Sequence, residues 1–256
     1  MKVVILAGGL GTRLSEETES RPKPLVEIGG LPIIWHIMKI YERAGLNDFV
    51  ICCGYKGAMI KQFFSEYFIK TSDITVDLGQ QSIEYHRRSE EKWRVTLVDT
   101  GIDTMTGGRL QRVSSHLGHE TFCLTYGDGV SDVNVEQLIG FHKKHGRTAT
   151  VTAVPSPGRF GILDIDSEGS VSRFHEKPDN EMGYINGGFF VLETKTLSYI
   201  DGDQTIFERG PLERLAADNQ LVAYPHAGFW KPMDTLRDKR ELEELWSSGK
   251  APWKVW

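Results

Sequence analysis

A chain of 256 residues, 39% of them hydrophobic and 25% charged, is long enough to bury roughly 70% of its unfolded surface and needs no disulfide or metal staple to fold. That ordinary composition and a net charge of −5 exclude a disordered tail, a collagen-like repeat and a disulfide scaffold, and argue against a nucleic-acid binder, whose balance is strongly basic. Cys52, Cys53 and Cys123 read as reduced core thiols of a cytoplasmic protein. The opening apolar run is too short for a secretory leader, and no run approaches the ~18 apolar residues of a membrane span.

Lys2 to Ala7 is a short Val- and Ile-rich run, as expected of a strand buried on both faces of a parallel sheet. A Gly-rich stretch follows. Pro32 then opens a helix in which Ile33, Ile34, Ile37, Met38 and Tyr41 recur at helical spacing, with Gly45 suited to its C-cap. FVICCG predicts a second strand, Lys56 to Phe68 a helix, VTLVDTG a third strand and Gly107 to Leu117 a helix. TFCLTYGDG predicts a fourth strand, Val135 to His145 a helix with a solvated His142 and His145, and TATVTAV a fifth strand. This alternation predicts an α/β fold with a doubly wound, mostly parallel, Rossmann-like sheet and helices on both faces. After about residue 155 the rhythm changes. GILDIDSEGSVSRFHEKP predicts a hairpin turning at a glycine, YINGGFFVLE and LVAYPHAGFW longer strands, and Leu236 to Trp246 a charged helix. One domain, 1–256, is expected, with its nucleotide half at about 1–155 and a smaller β-rich substrate half at about 156–256.

Leu6-Ala-Gly-Gly-Leu-Gly-Thr-Arg-Leu14 follows a strand, where a doubly wound fold binds ligands. Gly9 and Gly11 fit the dinucleotide fingerprint, but Leu14 stands where the third glycine belongs, and no Gly-Lys-Ser/Thr follows to make a P-loop. What remains is a loop of Gly8, Gly9 and Gly11 with Thr12 and Arg13. It is either a phosphate cradle of backbone N–H groups with a planar cation or a tight turn carrying a surface arginine. Arg21-Pro-Lys-Pro-Leu25 stiffens Lys23 between two prolines, which suits a phosphate-binding lysine as well as a lysine in a surface turn. Thr125-Tyr-Gly-Asp-Gly-Val130 closes a strand. Its Asp128, next to Gly127, is placed to hold Mg²⁺ against a triphosphate, or is a turn aspartate.

LAGGLGTRL followed by RPKPL resembles the signature of the sugar-phosphate nucleotidyltransferases, a pattern near LAGGxGTRLxPxTxxxPKxLxP, with Ser15-Glu16-Glu17-Thr18 in place of the usual surroundings. The resemblance implies that Arg13, Lys23 and Asp128 are catalytic, and that Leu6, Ala7, Gly8, Gly9, Gly11, Thr12, Arg13, Lys23 and Gly127 bind the nucleotide. It implies that Asp128 and Asp234, in FWKPMDT, hold Mg²⁺; Asp234 could also cap the last helix. It places Glu176 and Lys177 of an EKP element, Asn186 of Asn-Gly-Gly, and Gly161 of Arg159-Phe-Gly at the sugar phosphate. The segment DTGIDTMTGGRL, with GFWKPMDTLRDK and the ending GKAPWKVW, is similar to the branch of the family that uses CTP. That likeness gives Thr104 and Arg109 to the nucleotide, Arg109 donating to the base O2 carbonyl; TGGR alone is also a capped helix start.

The reaction implied is transfer of a cytidylyl group from CTP to glucose 1-phosphate, with pyrophosphate leaving, in the making of dideoxy sugars for surface polysaccharide. A homo-oligomer is implied too, its interface hinted at by the aromatic tail Trp253 and Trp256. A sister transferase using UTP or dTTP would share every phosphate residue. A non-catalytic sensor would lack one of Arg13, Lys23, Asp128 or Asp234, and an NAD-dependent oxidoreductase is disfavoured by Leu14.

Overall fold

The first strand, β1 (Val3–Ala7), divides its side chains between two cores: Val3, Ile5 and Ala7 on one face, Val4 and Leu6 on the other. This is the period-2 pattern of a strand covered on both sides. The computed structural model describes residues 1–86, 91–155, 162–166, 169–175 and 183–256. After β1 come α1 (Ile33–Arg43), β2 (Asp48–Cys53), α2 (Gly57–Ser65), β3 (Arg94–Asp99), α3 (Thr106–Arg112), β4 (Phe122–Tyr126), α4 (Val135–His145) and β5 (Ala149–Pro155). Strand β2 lies parallel between β1 and β3, and β4 lies parallel on the other edge of β1.

The doubly wound expectation holds. Ile33, Ile34, Ile37 and Met38 of α1 and Leu138 of α4 cover one face, and Leu110 of α3 covers the other. The fifth strand differs in its neighbour. Strand β5 does not pair with β4, because the antiparallel β9 (Phe190–Leu192) lies between them. Strand order along the chain does not reveal a strand inserted from farther downstream.

The later block supplies β6 (Ile162–Ile165) and β7 (Val171–His175), the expected antiparallel hairpin, with Gly169 at φ +81°. YINGGFFVLE is not one strand. It breaks into β8 (Tyr184–Asn186) and β9 because Gly188 (φ +72°) and Phe189 (φ +47°) turn the backbone through the left-handed region. Next come α5 (Gly210–Ala217), which adds Leu212 and Leu215 to the second core, β10 (Leu221–Pro225), parallel to β5, and α6 (Leu236–Ser247). Strands β1 to β10 form one sheet. LVAYPHAGFW also splits: after β10 the stretch Trp230–Pro232 leaves the sheet to pair with Gly129–Ser131.

The predicted helix over 56–68 ends at Ser65 and restarts as Tyr67–Thr71, and α3 gives way to a 3-10 turn at Ser114–His116. His142 is not solvated: it is buried, bonded to the Thr150 hydroxyl and to Glu193. The aromatic tail is spent within the chain's own core, where Trp253 is fully buried and stacks on Phe229 at 5.5 Å. It therefore gives no support to a subunit interface. All three cysteines are free and buried, and no helix among the described residues is long and apolar enough to cross a membrane.

Candidate active site

The chain leaves β1 for β2 on one side and later crosses to β4 on the other. The crevice at this switch point opens at the C-terminal ends of β1 and β4, where a doubly wound fold takes its ligand. A cleft of about 700 Å³ lies there, lined by Leu6, Ala7, Gly8, Gly9, Gly11, Thr12, Arg13, Lys23, Thr104, Arg109, Gly127 and Asp128. It thus brings together every residue the sequence suggested for the nucleotide. Gly11 sits at φ +66°, and a Cβ there would lie 2.8 Å from Thr18 Cγ2. The Thr18 hydroxyl shares its one proton between the Gly11 carbonyl at 3.1 Å and the Leu14 carbonyl at 3.0 Å, fixing the loop. Among the described residues, the N–H groups of Gly9, Leu10, Gly11 and Thr12 donate to no protein acceptor, which leaves them for an anion.

Asp128 follows β4 and Asp234 precedes α6. A three-residue ladder joins them: Trp230 pairs with Ser131, Lys231 with Val130 and Pro232 with Gly129, and the Met233 N–H then donates to the Asp128 carbonyl at 2.8 Å. The cap of α6 is Thr235, in a capping box with Asp238, so the carboxylate of Asp234 is left for the cleft. Lys23 Nζ donates to Asp128 Oδ2 at 2.6 Å and to Asp234 Oδ1 at 2.7 Å, and Arg13 Nη1 donates to Asp234 Oδ2 at 2.8 Å. Burial pushes the Lys23 ammonium down, but the two carboxylates outweigh it and hold its pKa above the ordinary value. Lysine, arginine and both aspartates thus form one connected charged cluster.

Arg109 is buried, and its guanidinium closes a different wall. Nη1 donates to the Thr100 hydroxyl at 2.7 Å and the Gly101 carbonyl at 2.6 Å, and Nη2 to the Ile102 carbonyl at 3.1 Å. Gly8 has room for no side chain, because a Cβ there would sit 2.2 Å from Arg109 Nη1. Much of the arginine therefore braces the protein. Of its five donors, Nε–H and one N–H of Nη2 have no protein acceptor among the described residues. Thr104 is buried beside it in the same wall.

A second cleft of about 430 Å³ adjoins the first and shares Arg13, Tyr126 and Asp128 with it; Asn186, Glu208, Trp230 and Asp234 complete much of its lining. Asn186, expected at the sugar phosphate, lines this second cleft. Gly161, Glu176 and Lys177, with Arg159 and Pro178, lie outside the described residues. Sequence reasoning passed over Tyr126, Thr106, Trp230 and Glu208. Tyr126 had a signal, its place one residue before the Gly127-Asp128 turn; Glu208, in Ile-Phe-Glu-Arg, had none.

The nucleotidyl transferase family profile matches residues 2–231. The chain is a member of the nucleotidyl transferase family. It is 56% identical, over the whole of both chains, to the glucose-1-phosphate cytidylyltransferase of Salmonella typhi. It is 30% identical to the mannose-1-phosphate guanyltransferase of Gibberella zeae, over 93% of this chain and 62% of that protein. In fold it is similar to a UDP-glucose pyrophosphorylase solved with UDP-glucose, with a TM-score of 0.75 and 17% identity over 97% of this chain and 98% of that one. The solved structure thus shares the fold, and the proteins named differ in the nucleotide their names carry.

Proposed function

We propose that this member of the family transfers the cytidylyl group of CTP to glucose 1-phosphate, giving CDP-glucose and pyrophosphate. The observation that carries the reading is the seam between the two clefts, where Lys23, Asp128 and Asp234 meet. A triphosphate in one cleft and a sugar phosphate in the other would face each other across those charges. The end-to-end 56% identity to the Salmonella typhi enzyme supports cytosine and glucose as the particular substrates.

Asp128 and Asp234 fit a divalent cation, because both close on a single cationic atom, Lys23 Nζ, at 2.6 and 2.7 Å. No cluster of three or more candidate ligand side chains occurs among the described residues. That suits Mg²⁺, which keeps water and phosphate oxygens as its other ligands. Bound there, Mg²⁺ would supply charge neutralisation for the triphosphate and the departing pyrophosphate.

The chain's own work is positioning. The N–H groups of Gly9 to Thr12 and the Arg13 guanidinium hold the β- and γ-phosphates. Lys23, turned from the carboxylates, meets the reacting phosphate. The sugar-phosphate oxygen attacks the α-phosphorus in line and pyrophosphate leaves opposite, so no protein nucleophile is required. Thr104 and Arg109 hold the nucleoside. Asn186 faces the sugar, with Gly161, Glu176 and Lys177 assigned beside it by the family likeness.

Pyrophosphate release measured with CTP, UTP, dTTP and ATP, each with glucose 1-phosphate, tests the reading. CTP should be used best. Equal use of UTP would reject the cytidylyl assignment, and no turnover with any nucleotide would reject the enzyme. A cytoplasmic homo-oligomer belongs to the same proposal; light scattering at the 28.9 kDa of one chain would reject the oligomer.

A further inference from the structure

Glu208 lies just before α5 and turns its carboxylate inward between the two clefts. Oε1 accepts from the Tyr126 hydroxyl at 2.7 Å, and Oε2 accepts from the Thr106 hydroxyl at 2.6 Å. The Tyr126 oxygen accepts in turn from Asn186 Nδ2 at 2.9 Å, and Asn186 Oδ1 accepts from the Gly188 N–H at 2.8 Å. A carboxylate only accepts, so the Tyr126 and Thr106 hydroxyls both donate to Glu208. Each proton in the chain from Thr106 to Asn186 therefore has one direction.

The other end of this chain is joined to the nucleotide wall. Thr106 opens α3, the helix that carries Arg109, and its Oγ accepts from the Phe207 N–H at 2.8 Å. The Met105 N–H donates to the Asp203 carbonyl at 2.8 Å and the Gly107 N–H to the Thr205 carbonyl at 2.9 Å, which satisfies donors at the helix start. A Cβ at Gly108 would lie 2.4 Å from the Asp203 carbonyl oxygen, so helix and loop touch backbone to backbone. The loop bearing Glu208 cannot shift without α3.

We propose that Glu208 is a positioning residue that couples the two clefts: by holding Thr106 and Tyr126 on one carboxylate, it lets nucleotide seated against α3 set the Tyr126–Asn186 pair that faces the sugar phosphate. The proposal rests on the two-substrate reading above. Asn186 keeps one N–H and one lone pair for a sugar hydroxyl. Their direction is fixed only while Tyr126 is fixed. Nucleotide that orders α3 orders that pair in advance, so the second substrate binds with less left to order.

The test is calorimetric. The dissociation constant of glucose 1-phosphate is measured on the full chain with Mg²⁺, alone and saturated with α,β-methylene CTP, and the ratio of the two values is the readout. In the wild type the nucleotide should tighten sugar-phosphate binding at least about fivefold, the lower end of ordinary coupling. Glu208→Gln turns an amide N–H₂ toward one of the two hydroxyl protons, and Tyr126→Phe cuts the link from the other side. Each should bring the ratio to within about twofold of unity. Thr106→Ser keeps the hydroxyl and should keep the ratio. A lesion that merely loosens the fold weakens both constants together and leaves the ratio standing. Wild-type coupling in Glu208→Gln and Tyr126→Phe, or a wild type that binds both ligands without coupling, would overturn the proposal. A wild type that binds no nucleotide would overturn the transferase reading and this proposal with it.

Discussion

Asp128 and Asp234 close on the same ammonium, that of Lys23, at 2.6 and 2.7 Å, although 106 residues separate them in the chain. The lysine is nearly buried and so is Asp234, so the three charges depend on one another. Lys23→Met leaves two carboxylates facing each other with only Arg13 against them. Removing one partner of such a cluster costs about 3–5 kcal/mol. The variant should melt well below the wild type without Mg²⁺ and regain part of the loss with it, because the cation can replace the ammonium. Its kcat/KM should fall at least about 10²-fold. A wild-type melting temperature in metal-free buffer would show that the cluster does not hold this part of the fold.

The carboxylates themselves give a separate expectation. Asp128→Asn keeps the size and removes the charge that a hard cation needs. Lys23 retains Asp234, so the fold should survive while turnover is lost, and EDTA should stop the wild type until Mg²⁺ is returned. Wild-type rate and Mg²⁺ affinity in Asp128→Asn would remove that residue from the metal site.

For Arg109→Ala the structure changes what the sequence led one to expect. The arginine does not merely reach for the base. It satisfies the Thr100 hydroxyl and the Gly101 and Ile102 carbonyls, behind the wall of the first cleft. Leaving a buried acceptor unpaired costs about 1–3 kcal/mol. Both CTP and UTP should bind more weakly, and the preference for CTP should fall by about tenfold as the wall loosens. Values of kcat/KM for the two nucleotides check this. An unchanged CTP-to-UTP ratio would show that Arg109 does not set the preference.

Gly108 shows where the sequence was legible and where it was not. TGGR read as a helix start or a nucleotide-binding stretch; it opens α3 in the wall of the first cleft, and the reason for the second glycine is an Asp203 backbone packed against it from 95 residues downstream. Gly108→Ala should cost about 1–3 kcal/mol, the range for overpacking, read as a lower midpoint in urea. A midpoint within error of wild type would mean that the loop yields. What the sequence carried was local. Strand and helix periods, the Gly8–Gly11 loop and the Pro-bounded Lys23 can each be read within a dozen residues. What it did not carry was registry between distant segments. The ladder of Gly129–Ser131 with Trp230–Pro232, the inserted strand β9 and the meeting of Glu208 with Thr106 and Tyr126 leave no periodic trace in the sequence.

The last expectation concerns acid. His36 on α1 is fully buried, with Nε2 bonded to the Ile28 carbonyl at 2.9 Å and the Trp246 ring 4.6 Å away. Nε2 thus carries the proton, and Nδ1 presents its lone pair to Trp253 Nε1 at 3.4 Å. Burial lowers the His36 pKa to about 4, against the smaller upward pull of the Ile28 and Leu31 carbonyls and Glu243. In the unfolded chain the ring titrates at about 6.5. Between those two values the unfolded chain binds the proton and the folded one does not, so stability is complete above about 6.5 and drains away as pH falls toward 4. From pH 7.5 to pH 5 the loss from this one ring should be about 2 kcal/mol. His142 and His145, whose pKa values are also lowered, add to the total acid sensitivity but remain in a His36→Phe variant and cancel in the comparison. Urea unfolding at the two pH values should therefore show a wild-type drop about 2 kcal/mol larger than that of His36→Phe, whatever constant penalty the variant carries for its lost hydrogen bonds. Equal drops would mean that the ring is already charged, or already exposed, in the folded protein.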